Sequence, residues 1–134
     1  MFGVDPDPPA YPDGLALLVS LLTYRNPGLS VSEDAPRQRP EKYVRIEHLG
    51  GVEGPSGAFI TPAFALQCYA MNTGDARRTC DDLLRQIKAA QFTHWDGVQI
   101  RAWETASLPH PFPDPAVSDR RRWQFAGSLG LSNL

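Results

Sequence analysis

"FALQCYAMNTGDARRTCDDLLRQI", Phe64 to Ile87, is the stretch that decides the fold. Phe64, Leu66 and Cys68 fall on one side of an extended chain, and Ala65, Gln67 and Tyr69 on the other. From Asp75 the period changes. Ala76, Cys80, Leu83, Leu84 and Ile87 then share one stripe of a helix expected over residues 75–90. A strand runs straight into an amphipathic helix. The joint, Asn72-Thr73-Gly74-Asp75, sits where many enzymes carry a phosphate loop. Such a loop needs several glycines and a Lys followed by Ser or Thr. This turn has a single glycine and an acid where an anion would bind. Asn72 or Thr73 instead supplies an oxygen for the first open amides of the helix, and Asp75 lies favourably against its dipole. The turn reads as a cap. On the outer side of the helix, Arg77–Asp81, Arg78–Asp82 and Asp81–Arg85 have i,i+4 spacing.

The same reading extends outward. "ITPAFALQCYAM" continues the strand back to Ile60, with Pro62 near its start, where a missing ladder donor is tolerated. In "YVRIEHLGG", Val44 and Ile46 alternate with Tyr43, Arg45 and Glu47. "LSVSED" is a weak strand, and "APRQRPEK" a loop. Upstream, Asp13 is a fitting N-cap for a short helix with Leu15, Leu18, Leu21 and Leu22 on its apolar stripe. That helix should end near Tyr24, before Asn26-Pro27-Gly28. Downstream, "VQIRAWETA" sets Val98, Ile100 and Ala102 against Gln99, Arg101 and Trp103. "RWQFAGSLGLS" sets Trp123, Phe125, Leu129 and Leu131 against Gln124, Ala126 and Ser128. The 13 prolines and 11 glycines gather in residues 1–14, 50–57 and 108–115, which read as a tail and two loops. The order is helix, three strands, helix, two strands. Sequential neighbours with modest loops favour pairing. The expected fold is an α+β two-layer sandwich over residues 1–134. Its mainly antiparallel sheet has four to five strands, both helices lie on one face, and residues 1–12 form a Pro-rich extension.

Composition narrows the function. The 134 residues suit one domain, and 42% are hydrophobic against 21% charged. No apolar run approaches the ~20 residues of a membrane span. "MFGVDPDPPAYPDG" lacks the basic start and apolar core of a secretory signal, so a cytoplasmic origin is the expectation. Net charge is −2, too acidic overall for a field that recruits nucleic acid. The basic clusters Arg37, Arg39, Lys42, Arg45 and Arg120–Arg122 are short and flanked by acids. Cys68 and Cys80 match no zinc or redox spacing and read as buried thiols. His48, His94 and His110 have no metal-ligand spacing.

No catalytic constellation emerges, and no cofactor is expected. Asp81 and Asp82 are adjacent on a helix and diverge. Glu41, Glu47 and Glu53 have no evident partner. Ser56 in "GPSG" lacks the Gly-x-Ser-x-Gly elbow. Gly50, Gly51, Gly54 and Gly57 do not spell a dinucleotide loop. What remains is the polar sheet face, expected to carry Tyr43, Arg45, Glu47, Gln67, Tyr69, Arg101, Trp103 and Gln124. Aromatics mixed with arginine are the composition of a contact surface.

With that order in hand, the chain resembles the tail terminator proteins of long-tailed, siphophage-type bacteriophages, also called tail-completion or head-to-tail joining proteins. "DGLALLVSLL", "YVRIEHLGG", "FALQCYAMNTGDARRTCDDLLRQI" and "LPHPFPDP" followed by "RRWQFAGSLGLS" carry the likeness, from Asp13 to Ser132. The resemblance implies a non-enzymatic virion subunit. Such subunits form a homohexameric ring that caps the tail tube, stops tube-protein polymerisation and meets the head connector, while DNA passes through the lumen without specific binding. Ring or tube contacts are then expected on Gly50, Gly51, Val52 and Glu53 of one loop and Phe112, Pro113 and Asp114 of the other, with Arg45, Glu47 and Trp103 on the sheet. Two other readings are a phage head-closure protein and a small nucleic-acid-binding domain using Tyr69, Arg120–Arg122 and Trp123.

Overall fold

The computed structural model describes residues 10–54 and 59–133. In chain order the elements are α1 (Gly14–Arg25), β1 (Ser30–Ser32), β2 (Tyr43–Glu53), β3 (Phe59–Ala70), α2 (Thr73–Ala89), β4 (His94–Trp95), β5 (Val98–Pro111) and β6 (Arg121–Asn133). The strands form one sheet in the order β1-β2-β3-β6-β5-β4. The α+β class is as expected. The sheet, however, is six-stranded and mixed, because β1 pairs parallel to β2 and every other pair is antiparallel. One strand escapes a count based on alternation. β4 has only two residues, too few to show a period, and lies in what reads as the "THWDG" turn.

Both helices start where the sequence places their caps. The Asp13 side chain accepts from the Ala16 amide at 3.0 Å, and that of Asn72 accepts from the Asp75 amide at 2.9 Å. The joint after β3 is therefore a cap made by Asn72. On α2, Arg77 pairs with Asp81 at 3.7 Å, as spaced. Arg78 and Arg85 instead reach back three residues to Asp75 and Asp82. Leu17, Leu18, Leu21 and Leu22 of α1 and Cys80, Leu83, Leu84 and Ile87 of α2 join one core with Val44, Ile46, Phe64, Leu66, Phe125 and Leu131 of the sheet. Asn26 and Gln86 exchange side-chain hydrogen bonds of 2.7 and 3.0 Å, tying the helix ends together.

Two expectations about strand ends fail for the same reason. β2 runs on through Gly50 and Gly51 to Glu53, and β5 runs on through Pro109 to Pro111, so the first half of each expected loop is strand. Bulges make this possible. In β2 the register shifts between His48 and Gly51. Gly51 has φ 135°, and a Cβ there would lie 2.3 Å from the Thr61 carbonyl oxygen, so only glycine fits. β5 shifts register three times against β6. Each extra residue bends the strand, and the sheet curls.

The first of these β5 shifts, between Ile100 and Trp103, overturns the expected position of Trp103. Strict alternation puts Trp103 on the polar face. The bulge at Arg101 and Ala102 turns it inward, where it is 7% exposed and meets Phe125 edge-on at 6.1 Å. Gly127 makes room for it: a Cβ there would lie 2.3 Å from the Trp103 ring. Trp103→Ala should therefore lower the unfolding free energy by about 3–5 kcal/mol, and Gly127→Val by about 1–3 kcal/mol. Urea titration followed by circular dichroism checks both. A loss within ~0.5 kcal/mol for Trp103→Ala, the size of a surface change, would put the ring back on the outer face.

Candidate interaction face

The sheet face away from the helices can be read as rungs across the strands. Tyr43 lies opposite Tyr69, which lies opposite Arg122. The next rung is Arg45, Gln67, Gln124 and His110. Glu47, Ala65, Ala126 and Ser107 follow. The face thus passes from an aromatic end, through a polar middle, to a waist of small residues.

The aromatic end is covered. Tyr43 and Tyr69 stack at 4.5 Å with planes 10° apart, and both are buried. Residues 112–117 fold back over them, and Val117 packs against the pair. Arg122 holds this segment down. Its Nε donates to the Phe112 carbonyl at 2.6 Å, and one Nη to that of Pro113 at 3.3 Å. The other Nη donates to the Tyr69 hydroxyl at 3.1 Å and lies 3.4 Å from Asp114 Oδ2. The Tyr69 hydroxyl donates to Asp114 at 2.8 Å, and the Ala116 amide to the same carboxylate at 3.0 Å. Burial alone would raise the Asp114 pKa. The bonds from Tyr69 and Ala116 and the charge of Arg122 outweigh it, so the carboxyl titrates below its usual range. Arg120 fastens a second segment by donating to the carbonyls of Arg39 and Pro40 at 3.2 and 3.1 Å. Burial, then the neighbouring Tyr69, raises the pKa of Tyr43.

At the far end an open groove of about 650 Å³ is lined by Phe59, Thr61, Phe92, Arg101, Ser128 and Gly130. The Arg101 guanidinium lies over the Phe59 ring at 5.1 Å, and its Nε donates to Ser132 at 3.3 Å. Phe92 is 73% exposed.

The expected contact residues do not converge on one patch. Arg45 and Glu47 lie on the face as read. Gly50, Gly51, Val52 and Glu53 belong to β2, and Val52 is 71% exposed. Glu53 accepts from the Tyr11 hydroxyl. Residues 55–58, including Ser56, lie outside the described residues. Trp103 is in the core. Phe112 and Pro113 are exposed, whereas the Asp114 side chain is only 16% exposed and points inward. Of the residues read as a nucleic-acid surface, Tyr69, Arg120 and Arg122 are engaged within the chain. Trp123 donates to Thr73 at 2.8 Å beneath the Arg77 guanidinium. Among the described residues, no His, Cys, Asp and Glu cluster could hold a metal ion.

Sequence reasoning missed the two open edges. β1 covers β2 only as far as Arg45, and β4 covers β5 only at Val98 and Gln99. The outer side of β5 is also met at Ile100 by the backbone of Phe92 and Thr93 and at the Trp103 amide by the Gln91 side chain; beyond these points, among the described residues, each strand pairs on one side only. Each open edge bears exposed apolar side chains: Leu49 and Val52 on β2, and Leu108 on β5. The signal lay in strand length. β1 and β4 are too short to cover strands of 11 and 14 residues.

The chain matches no family model, and no curated protein matches it significantly. The clasp yields a prediction of its own. Asp114 favours its charged form in the fold, so its contribution is complete above the unfolded pKa and lost as pH falls through the lower folded one. Asp114→Asn should flatten the fall of stability below about pH 4, measured by urea titration across pH 2–7. Arg122→Ala should cost about 2–3 kcal/mol at neutral pH by leaving two carbonyls without a donor and Asp114 without its counter-charge. An unchanged acid limb in Asp114→Asn would remove the clasp from the account.

Proposed function

We propose that the chain is a non-enzymatic virion structural protein of the tail-terminator type. Copies join side by side in a ring, six in number by the resemblance. The ring caps the tail tube, ends polymerisation of the tube protein and offers its other side to the head connector, while DNA passes through the lumen.

One observation carries this reading: the single sheet has two open edges on opposite sides, each with exposed apolar residues. A strand edge of unpaired amides and carbonyls is a template for another chain. Two different edges on opposite sides make a head-to-tail contact, which closes into a ring when the rotation per copy allows. The closely spaced glycines of β2 and the prolines of β5 keep both edges irregular, which discourages indiscriminate pairing. The net charge of −2 suits a channel through which DNA slides. A nucleic-acid-binding domain is less well supported, because Tyr69, Arg120 and Arg122, which it would use, are engaged within the chain.

Negative-stain electron micrographs of the purified protein, alone and with tail tubes, test the proposal. Uniform rings that sit on tube ends are expected. Val52→Asp and Leu108→Asp should each abolish rings while changing monomer stability by no more than ~0.5 kcal/mol. A chain that stays monomeric at high concentration overturns the ring. Rings that bind head connectors but never tube ends place the chain at head closure instead.

A further inference from the structure

The segment after α2 holds a residue that the fold alone does not explain. Phe92 has φ 64°, a left-handed backbone that a bulky side chain rarely adopts. Its amide donates to the Ile100 carbonyl at 2.9 Å, and the Thr93 carbonyl accepts from the Ile100 amide at 2.8 Å. Glycine at position 92 would allow the same two bonds without the strain. The Phe92 ring is not used inside the molecule either. It is exposed, and it lines the open groove together with Phe59, Thr61, Arg101, Glu104 and Gly130. Among the described residues, Arg101 forms no ion pair.

The ladders show what stands level with this groove on the opposite edge of the sheet. Val52 pairs with Thr61, which lines the groove. Glu53 shares a rung with Ile60, Leu131 and Ile100, the neighbour of Arg101. Glu47 shares one with Ala65, Ala126 and Ser107. β2 and β5 are three antiparallel steps apart, so they run in opposite directions. Copies turned about an axis along the strands keep every rung at its height. The β2 of the next copy then continues the sheet antiparallel to β5, with its open residues 47–49 beside residues 104–107. Lower down, residues 91–93 stand outside β5, so the next copy meets the Phe92 ring there and not a strand backbone. Val52 comes level with the groove. Glu53, which also has no ion pair among the described residues, comes level with Arg101.

We infer that the groove is a socket for a second copy of this chain, in which Val52 of one copy packs against Phe92 of the next and Glu53 meets Arg101. This rests on the ring proposed above, and it names the register in which the copies meet. A desolvated aromatic anchor carries a large share of the energy of such a contact. The charge pair adds less affinity, but it sets against registers that bring like charges together.

Variants of the full chain are compared by sedimentation velocity and negative-stain microscopy, with urea titration as the control for folding. Phe92→Gly relieves the backbone, so it should not lower the urea midpoint. It should nonetheless raise the concentration for half-assembly about tenfold. Arg101→Glu should disrupt the rings, and adding Glu53→Arg should restore them. If Arg101→Glu lowers the urea midpoint, Val52→Asp rescued by Phe92→Arg makes the same test across the apolar contact. Rings that survive both Phe92→Gly and Arg101→Glu, or disruption that no paired change rescues, overturn the socket and leave the proposed function standing. An unaltered chain that forms no rings overturns both.

Discussion

The antiparallel ladder between β3 and β6 is the contact on which the rest of the molecule depends. It runs from Phe59 opposite Ser132 to Ala70 opposite Arg121 and occupies the centre of the sheet. Its inner side supplies Phe64, Leu66, Cys68, Phe125 and Leu131, the floor on which both helices rest. Its outer side supplies Tyr69 and Arg122, which hold down the segment after β5. The two strands are separated in sequence by α2, β4 and β5. Their pairing is therefore non-local, and the loop-closure entropy it costs must be offset by what packs on it. The helix beginning three residues after β3 shortens that task, because it lies back across the ladder it helps to close.

Curvature is the second constraint. The register shifts in β2 and β5 convert what would be a flat face into a curled one. They also decide which residues are inside. A one-residue slip reverses every later side chain, and so Trp103 enters the core while Arg101 and Ala102 face solvent. Gly127 and Gly51 stand where neighbouring strands approach too closely for a side chain. The same bulges carry β2 and β5 past their short neighbours, so the exposed edges are a by-product of the curl.

Much of this was legible in the residues. The caps at Asp13 and Asn72, the leucine stripe of α1 and the apolar face of α2 all follow from spacing alone. So do the inward sides of β3 and β6, because alternation survives wherever no bulge intervenes. The reading failed where a local rule met a tertiary override. Pro109 and Pro111 signal a loop, yet they are tolerated on an open edge, where no second partner needs their amide. "GGVEGPSG" signals a loop, yet Gly50 and Gly51 form a bulge within a strand. Tyr43 sits on the polar side of β2 as alternation requires, but it is buried because Tyr69 and Val117 cover it. Its place in a Pro-rich loop makes Asp114 an expected outward contact. Its inward role rests on Arg122, from a strand that alternation orients but does not place beside that loop. Of the expected contact residues, Trp103 and Asp114 turn inward, while the others keep accessible positions. The groove beside Phe92 was not legible, since it stands level with Val52 only once the strands between them are in register.

The dependence on β3 and β6 can be read directly by native-state hydrogen exchange. The amides of the β3–β6 ladder should be the slowest in the molecule and should exchange only with global unfolding, while β1 and β4 exchange by local opening. If β6 amides exchanged as fast as those of β1 while β5 stayed protected, the ladder would not be the support on which the helices, the clasp and the open edges rest.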